Sequence, residues 1–333
     1  VTARRFIDVL NWDALVAPGV MVCKDGSLLG GWDVTGIDTE SLEPDALAGR
    51  LRHLAFALSG LSDGETVWSV FDRRPWVPEG EPATTGRDAL DALTLESRLL
   101  LAEPGTTWSD RLLLFLGRGP EAPAPLADGL AAFGDAARRL ESRLGAVLSL
   151  RRLAPEGPGA PCPFCGALTG LLGQSRSAPR FGGDDLPVGL DFLLGAEVLQ
   201  PRRTGPLTLD GRAVAVLALE GLPVTYGLAP LERFQNLPCA FSWVTRYEAL
   251  SAASARRAVR RRQRFWRQGS ADFLAQVGGT GEGRRDLYGD AMADSLDPVL
   301  ARLSRGGEGH GHPVSLFLLR DAARDAPAPP RAL

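Results

Sequence analysis

The sequence predicts an α+β chain of two lobes, each a small, mostly antiparallel sheet flanked by helices, and three observations carry this. Asp25-Gly26 and Asp210-Gly211 each lie between two strand-like runs, and Asp-Gly is a strong hairpin signal because both residues tolerate positive φ. Leucines at helical spacing alternate along the chain with short stretches of period-two apolar residues. Both halves can be written as hairpin, helix, strand, helix, strand, which suggests a pseudo-repeat. The expected layout is an N-terminal lobe over 1–150, an irregular or helical connector with a cysteine pair over 151–206, a second lobe over 207–320 and a disordered tail over 321–333.

The elements follow in order. Ala17–Cys23 and Ser27–Val34 flank the first Asp-Gly turn. Ser41–Ser59 is a predicted helix, because Leu47, Leu51, Leu54 and Leu58 share one face. Glu65–Asp72 alternates as a strand, Arg73–Pro82 is a Pro-rich loop, Thr84–Leu101 a helix and Trp108–Leu116 a strand. Gly117–Pro125 breaks regular structure before a helix over Leu126–Leu148, and Pro155–Pro163 and Arg176–Pro187 are loops. In the second half, Leu207–Leu209 and Ala213–Leu219 form the second hairpin, followed by a short helix at Pro230–Leu237 and a strand at Ala240–Thr245. Ser251–Gln268 is a helix, Gly278–Gly283 a Gly-rich break, Arg285–Leu303 a helix, Val314–Leu319 a last strand and Ala326–Leu333 the tail.

Composition excludes several classes of function. The 333 residues are 44% hydrophobic and 23% charged with a net charge of −3, so direct nucleic-acid binding is not expected. No apolar run reaches the ~18–20 residues of a bilayer span, and the N-terminus lacks a signal-peptide core. The expected location is the cytoplasm, peripheral at the inner-membrane face when assembled. Lys24 is the only lysine among 37 basic residues, so Schiff-base or P-loop lysine chemistry could come from nowhere else.

Four features invite a chemical reading. Gly278–Gly283 has the glycine spacing of a P-loop, but Arg284 and Arg285 replace the required Lys and Ser/Thr, so it reads as a linker and no cofactor is expected. Cys162-Pro-Phe-Cys165 resembles a glutaredoxin pair, leaving structural, zinc-binding and thiol-redox readings open; His310 and His312 are the distant candidate ligands. His53 falls in the leucine-rich helix, and no G-x-S-x-G elbow accompanies any of the three histidines, so no catalytic residue is assigned. Within Ser251–Gln268, seven arginines fall in twelve residues. Ala255, Val259 and the Phe265/Trp266 pair are expected to pack inward, which aligns Arg256, Arg260, Arg264 and Arg267 at 4-4-3 spacing along one outer face, a candidate partner-docking row.

Three stretches together carry a family resemblance. Leu15–Ser27, Leu93–Leu101 with the strand ending Leu114-Phe115-Leu116, and Phe241–Tyr247 with the helix ending Arg264-Phe-Trp-Arg267 resemble, in order, the TrbE-type ATPases of conjugative type IV secretion systems, in the TrbE/CagE/VirB group. Pro161–Asp185 departs from that pattern. The resemblance covers the family's N-terminal region and implies an ATPase motor beyond residue 333, with ATP relevant only through that motor. It implies a non-catalytic scaffold that docks the motor on inner-membrane secretion components and takes part in a homo-oligomer of the full complex. The alternative from a different class is a thiol-redox or zinc module built on Cys162 and Cys165.

Overall fold

The two hairpin signals and the alternating strands translate into one sheet. The computed structural model describes residues 6–38, 41–76, 86–101, 107–120, 124–172, 178–180, 189–194, 199–200, 207–209, 212–219, 237–269, 287–305 and 309–320. Its strands are β1 (Trp12–Ala17), β2 (Val20–Cys23), β3 (Leu28–Thr35), β4 (Glu65–Pro75), β5 (Trp108–Arg118), β6 (Ser149–Arg152), β7 (Leu199–Gln200), β8 (Leu207–Leu209), β9 (Arg212–Leu219), β10 (Phe241–Leu250) and β11 (His310–Arg320). The helices are α1 (Pro44–Ser59), α2 (Asp88–Leu101), α3 (Leu126–Leu144), α4 (Pro163–Leu172), α5 (Leu190–Leu194), α6 (Ala252–Gly269), α7 (Leu287–Asp294) and α8 (Asp297–Arg305).

The α+β class and the antiparallel pairing are as expected. The two small sheets of the expectation are halves of one eleven-stranded sheet, ordered β1-β2-β3-β5-β4-β10-β11-β9-β8-β7 with β6 beside β3. From the central β4/β10 seam outward the order reads β4-β5-β3-β2 one way and β10-β11-β9-β8 the other. The repeated hairpin-helix-strand-helix-strand order thus becomes two strand sets arranged as mirror images in sequence order. The seam runs from Phe241 opposite Arg73 to Glu248 opposite Thr66.

The first turn forms as the dipeptide predicts. Gly26 has φ 81°, and the Asp25 carboxylate accepts from the Ser27 amide at 2.9 Å and its hydroxyl at 2.6 Å. Gly19 (φ 71°) turns β1 into β2 so close to the chain that a Cβ there would sit 2.6 Å from the Leu153 carbonyl, which only glycine permits. In the second half β8 and β9 pair antiparallel. Asp210-Gly211 itself, most of the helix expected at Pro230–Leu237, Gly278–Gly283 and the tail lie outside the described residues.

Helices cover both faces of the first half, which is why β5 reads as the unbroken run Leu112-Leu-Leu-Phe-Leu116 rather than an alternation. Val67, Leu114 and Leu116 join Phe133, Ala136 and Leu140 of α3 and Ala57 of α1 in one cluster. Val70, Leu113 and Phe115 join Cys162, Phe164, Cys165 and Leu168 from the opposite face. Period-two alternation sends neighbours along one strand into separate cores.

Some boundaries differ from the sequence reading. The helix from Leu126 stops at Leu144, before Gly145, and the freed residues 149–152 become β6. Asp297-Pro298 divides the stretch expected as one helix into α7 and α8, since Pro is accepted in a first helical turn and disfavoured in an interior. Arg73 and Arg74, expected in a loop, extend β4 because carboxylates await them: Asp110 pairs with Arg73 at 2.7 Å and Asp72 with Arg74 at 2.8 Å.

Asp72 is the polar centre of the seam. It is 3% exposed, accepts from the Ser242 hydroxyl at 2.6 Å and lies 3.8 Å from the Arg320 guanidinium. Arg320 donates onward to Leu171 O at 2.6 Å, and Arg74 donates to Gly170 O. One carboxylate therefore links β4, β10, β11 and the last carbonyls of α4. Removing one partner of such a group leaves buried charge uncompensated, at about 3–5 kcal/mol. Asp72→Ala should lower the urea-unfolding free energy by about that amount, and Ser242→Ala by about 1 kcal/mol. An Asp72→Ala loss no larger than that of Ser242→Ala would show that the carboxylate does not hold the seam.

Candidate functional site

The arginine-rich helix α6 leaves β10 through a built N-cap. The Ser254 amide donates to the Ser251 hydroxyl at 3.1 Å, as preferred at helix starts. Asp63, on the turn before β4, accepts from the Ser251 amide at 2.8 Å and the Ser254 hydroxyl at 3.1 Å. The Ser251 amide, first among these contacts, holds the Asp63 carboxyl below its usual range, and a negative charge here complements the helix dipole.

Its inner face packs on α7 and α8. Ala255 is buried, as are Ala293 of α7 and Leu303 of α8, and the Gln263 amide donates to Ala293 O at 3.2 Å and Asp297 Oδ1 at 2.7 Å. Val259 and Trp266 are half-buried on the same side, as expected. Phe265 corrects the expectation: it is 58% exposed. Adjacent helical residues point about 100° apart, so Trp266 turns in and Phe265 turns out. Arg262 lies over both rings, 5.4 Å from Phe265 and 5.1 Å from Trp266, within cation–π range.

The predicted row stands on the other side. Arg260, Arg264 and Arg267 are exposed and Arg256 half-buried. Among the described residues, Arg267–Asp294 at 3.7 Å is the ion pair that links this row to an acidic side chain. The structure thus brings the four residues onto one open flank of α6.

Cys162 and Cys165 lie elsewhere, beneath the first half of the sheet. Cys162 precedes α4, donates its amide to Pro179 O at 2.8 Å and is 1% exposed, with Cys165 at 0%. Phe164 between them packs edge-on against Phe115 at 6.1 Å. A hydrogen bond from the Cys165 thiol, helped by the Cys165 and Phe164 amides, draws Cys162 down to about 7, while donating that bond and burial push Cys165 up. Among the described residues no group of three His, Cys, Asp or Glu side chains converges as a metal site; His310 and His312 sit on β11 opposite Leu250 and Glu248 of β10. His53 is exposed on α1. Lys24 pairs with Asp191 at 2.6 Å and donates to Ile7 O, a structural tie.

One surface escaped the sequence reading. Helix α2 has no buried residue; its six leucines lie on both sides of the helix, and a helix leucine-rich all round is the available signal that it needs a cover. Among the described residues no helix is long and apolar enough to cross a membrane.

The fold and these surfaces describe a strand-rich platform of the kind found at the N-terminus of a secretion ATPase, and comparison with known proteins points to the same class. Residues 19–124 match the family model "Type IV secretion system ATPase VirB4/TrbE, N-terminal domain". The chain is similar to the conjugal transfer protein TrbE of Rhizobium radiobacter, 27% identical over 350 residues that cover 96% of this chain and 42% of that protein. It is also similar to a probable conjugal transfer protein TrbE of Sinorhizobium fredii (strain NBRC 101917 / NGR234), 25% identical over 143 residues, 42% of this chain and 21% of the relative. The chain thus spans less than half the length of these relatives, and its likeness is to the N-terminal region of TrbE-type proteins. Of the three stretches that carried the resemblance, Leu15–Ser27 forms β1, β2 and their turns, Leu93–Leu101 lies in α2, and Phe241–Tyr247 lies in β10 ahead of α6.

The cysteine pair has a pH signature. With Cys162 near 7 in the fold against an ordinary 9.0, its ionisation stabilises the fold fully above about pH 9, and this is lost as pH falls through 7. The raised Cys165 acts oppositely above about pH 9, where the unfolded thiol ionises. Under reducing conditions, the stability gap between the native chain and Cys162→Ala should therefore widen between about pH 6 and about pH 9, by about 1–2 kcal/mol. A gap independent of pH would show that the thiol pair does not share its proton in this way.

Proposed function

We propose that the chain is the N-terminal scaffold and docking region of a TrbE-like type IV secretion ATPase, non-catalytic itself, which seats a P-loop motor on the inner-membrane components of a conjugal transfer system. The observation that carries this reading is the row Arg256, Arg260, Arg264, Arg267, held open on α6 while the opposite flank is anchored to α7 and α8. Exposed guanidinium groups give little to the stability of their own fold. They suit recognition of carboxylates by a planar, multiply donating group. The partner that fits is an acidic protein surface, and the place is the cytoplasmic side of the inner membrane, reached through protein contacts.

The match to a VirB4/TrbE N-terminal family model supports the placement. The name conjugal transfer protein TrbE, carried by the relative that aligns over nearly the whole chain, supports the transfer system. ATP turnover belongs, in this reading, to the motor. The thiol-redox or zinc alternative is not favoured: both sulfurs are sealed in the core.

The test is Arg256, Arg260 and Arg264 changed together to Gln, with co-purification of the secretion inner-membrane components as the readout. Three lost ion pairs of 0.2–1 kcal/mol each correspond to about tenfold weaker association, and to a smaller salt dependence, with an unchanged circular dichroism spectrum. Unaltered association by a folded variant would remove the docking role. Unfolding of the variant would make the row structural.

A further inference from the structure

Helix α2 is the least covered part of the described surface. Leu90, Leu93, Leu95, Leu99, Leu100 and Leu101 are each between 45% and 63% exposed, several hundred Å² of apolar surface at the size where a patch marks an interface. We infer that α2 of one copy docks along the arginine row of α6 on a second copy, an inference that rests on the reading of α6 as a docking surface and names its partner.

Charge and shape favour this occupant. Helix α2 carries Asp88, Asp91 and Glu96 against Arg98 alone, whereas α6 carries seven arginines and no acid. Asp88, Ala92, Leu95 and Leu99 follow one another at 4-3-4 spacing, so they form a single stripe, with Asp91 on one flank and Glu96 on the other. The arginines of α6 follow 4-4-3 spacing, with Phe265 exposed beside them. At 1.5 Å per residue the helices are about 21 Å and about 27 Å long, so the shorter lies within the longer. Leu95 and Leu99 would cover Phe265 and the methylene stems of the arginines, while the acids meet the guanidinium heads. Neither surface is self-complementary: two α6 rows repel, as do two α2 acid sets. Each copy therefore carries one donor and one acceptor, a head-to-tail arrangement that grows into a ring if the rotation closes.

A heterologous contact has a signature that a self-paired one lacks. Two variants are needed: Leu95→Ser with Leu99→Ser, which removes the donor, and Arg260→Glu with Arg264→Glu, which reverses the acceptor. The native chain should gain mass with concentration up to about 100 μM in sedimentation at low salt, and lose it as ionic strength rises from about 0.05 M to about 0.3 M. Each variant alone, folded by circular dichroism, should associate more than about tenfold more weakly. Mixed, they should form a 1:1 dimer that grows no further, because one intact donor meets one intact acceptor. A native chain that stays monomeric, variants that associate as the native chain does, or a mixture that stays monomeric would each overturn the inference. If platform binding still depends on the arginine row in any of these cases, the docking reading stands and its acidic partner is another protein.

Discussion

A carboxylate buried where two strand sets meet has to be matched on every side, and Asp72 meets that constraint with three elements at once. Ser242 reaches it from β10, Arg320 from β11 and Arg74 from its own strand, and the two arginines spend further donors on the last carbonyls of α4. A charge so placed is stabilising only with its whole partner set in position. The seam therefore specifies one register, since a one-residue slip would turn Asp72 to the other face and strand it. Glu65 does similar work nearby: 2% exposed, it holds Arg118 of β5 at 2.9 Å and Arg139 of α3 at 3.3 Å.

What this gives the molecule is a continuous platform rather than two lobes in tandem. Helix α6 leaves the far end of β10, beside the seam, and Asp63 of the first half caps it. The orientation of the arginine row is thus tied to both halves of the sheet. A docking surface carried this way loses little freedom on binding, which favours affinity without new contacts. Helix α2, which joins β4 to β5 in the first half, lies on the same platform, so the spacing between its leucines and the arginine row is set by the sheet.

Features governed by local chemistry were legible in the sequence. The Asp25-Gly26 hairpin, α1 with its leucine face, and the arginine row each depend on residues within a turn or two of one another. The pairing of β4 with β10 was not legible, because Asp72 and Ser242 are 170 positions apart and nothing local marks them as partners. Arg73 and Arg74 looked like loop for the same reason, their carboxylates being supplied by tertiary structure. Phe265 was misplaced because two adjacent aromatics cannot both face one core, and the choice between them is made by α7 and α8. The cysteine pair was recognisable as a helix-start motif, but its burial beneath β5 was decided by Phe164 and Phe115, far apart in sequence.

The central claim is that the β4/β10 seam makes the two halves one cooperative unit. Native-state hydrogen exchange with increasing denaturant, followed separately for amides of β5 and β11, tests it most directly, since each strand lies one step from the seam on its own side. A single unit opens with one free energy, so the most protected amides of both strands should merge into a common unfolding isotherm. Two isotherms, with β11 opening while β5 remains protected, would contradict the account and return the molecule to two independent lobes.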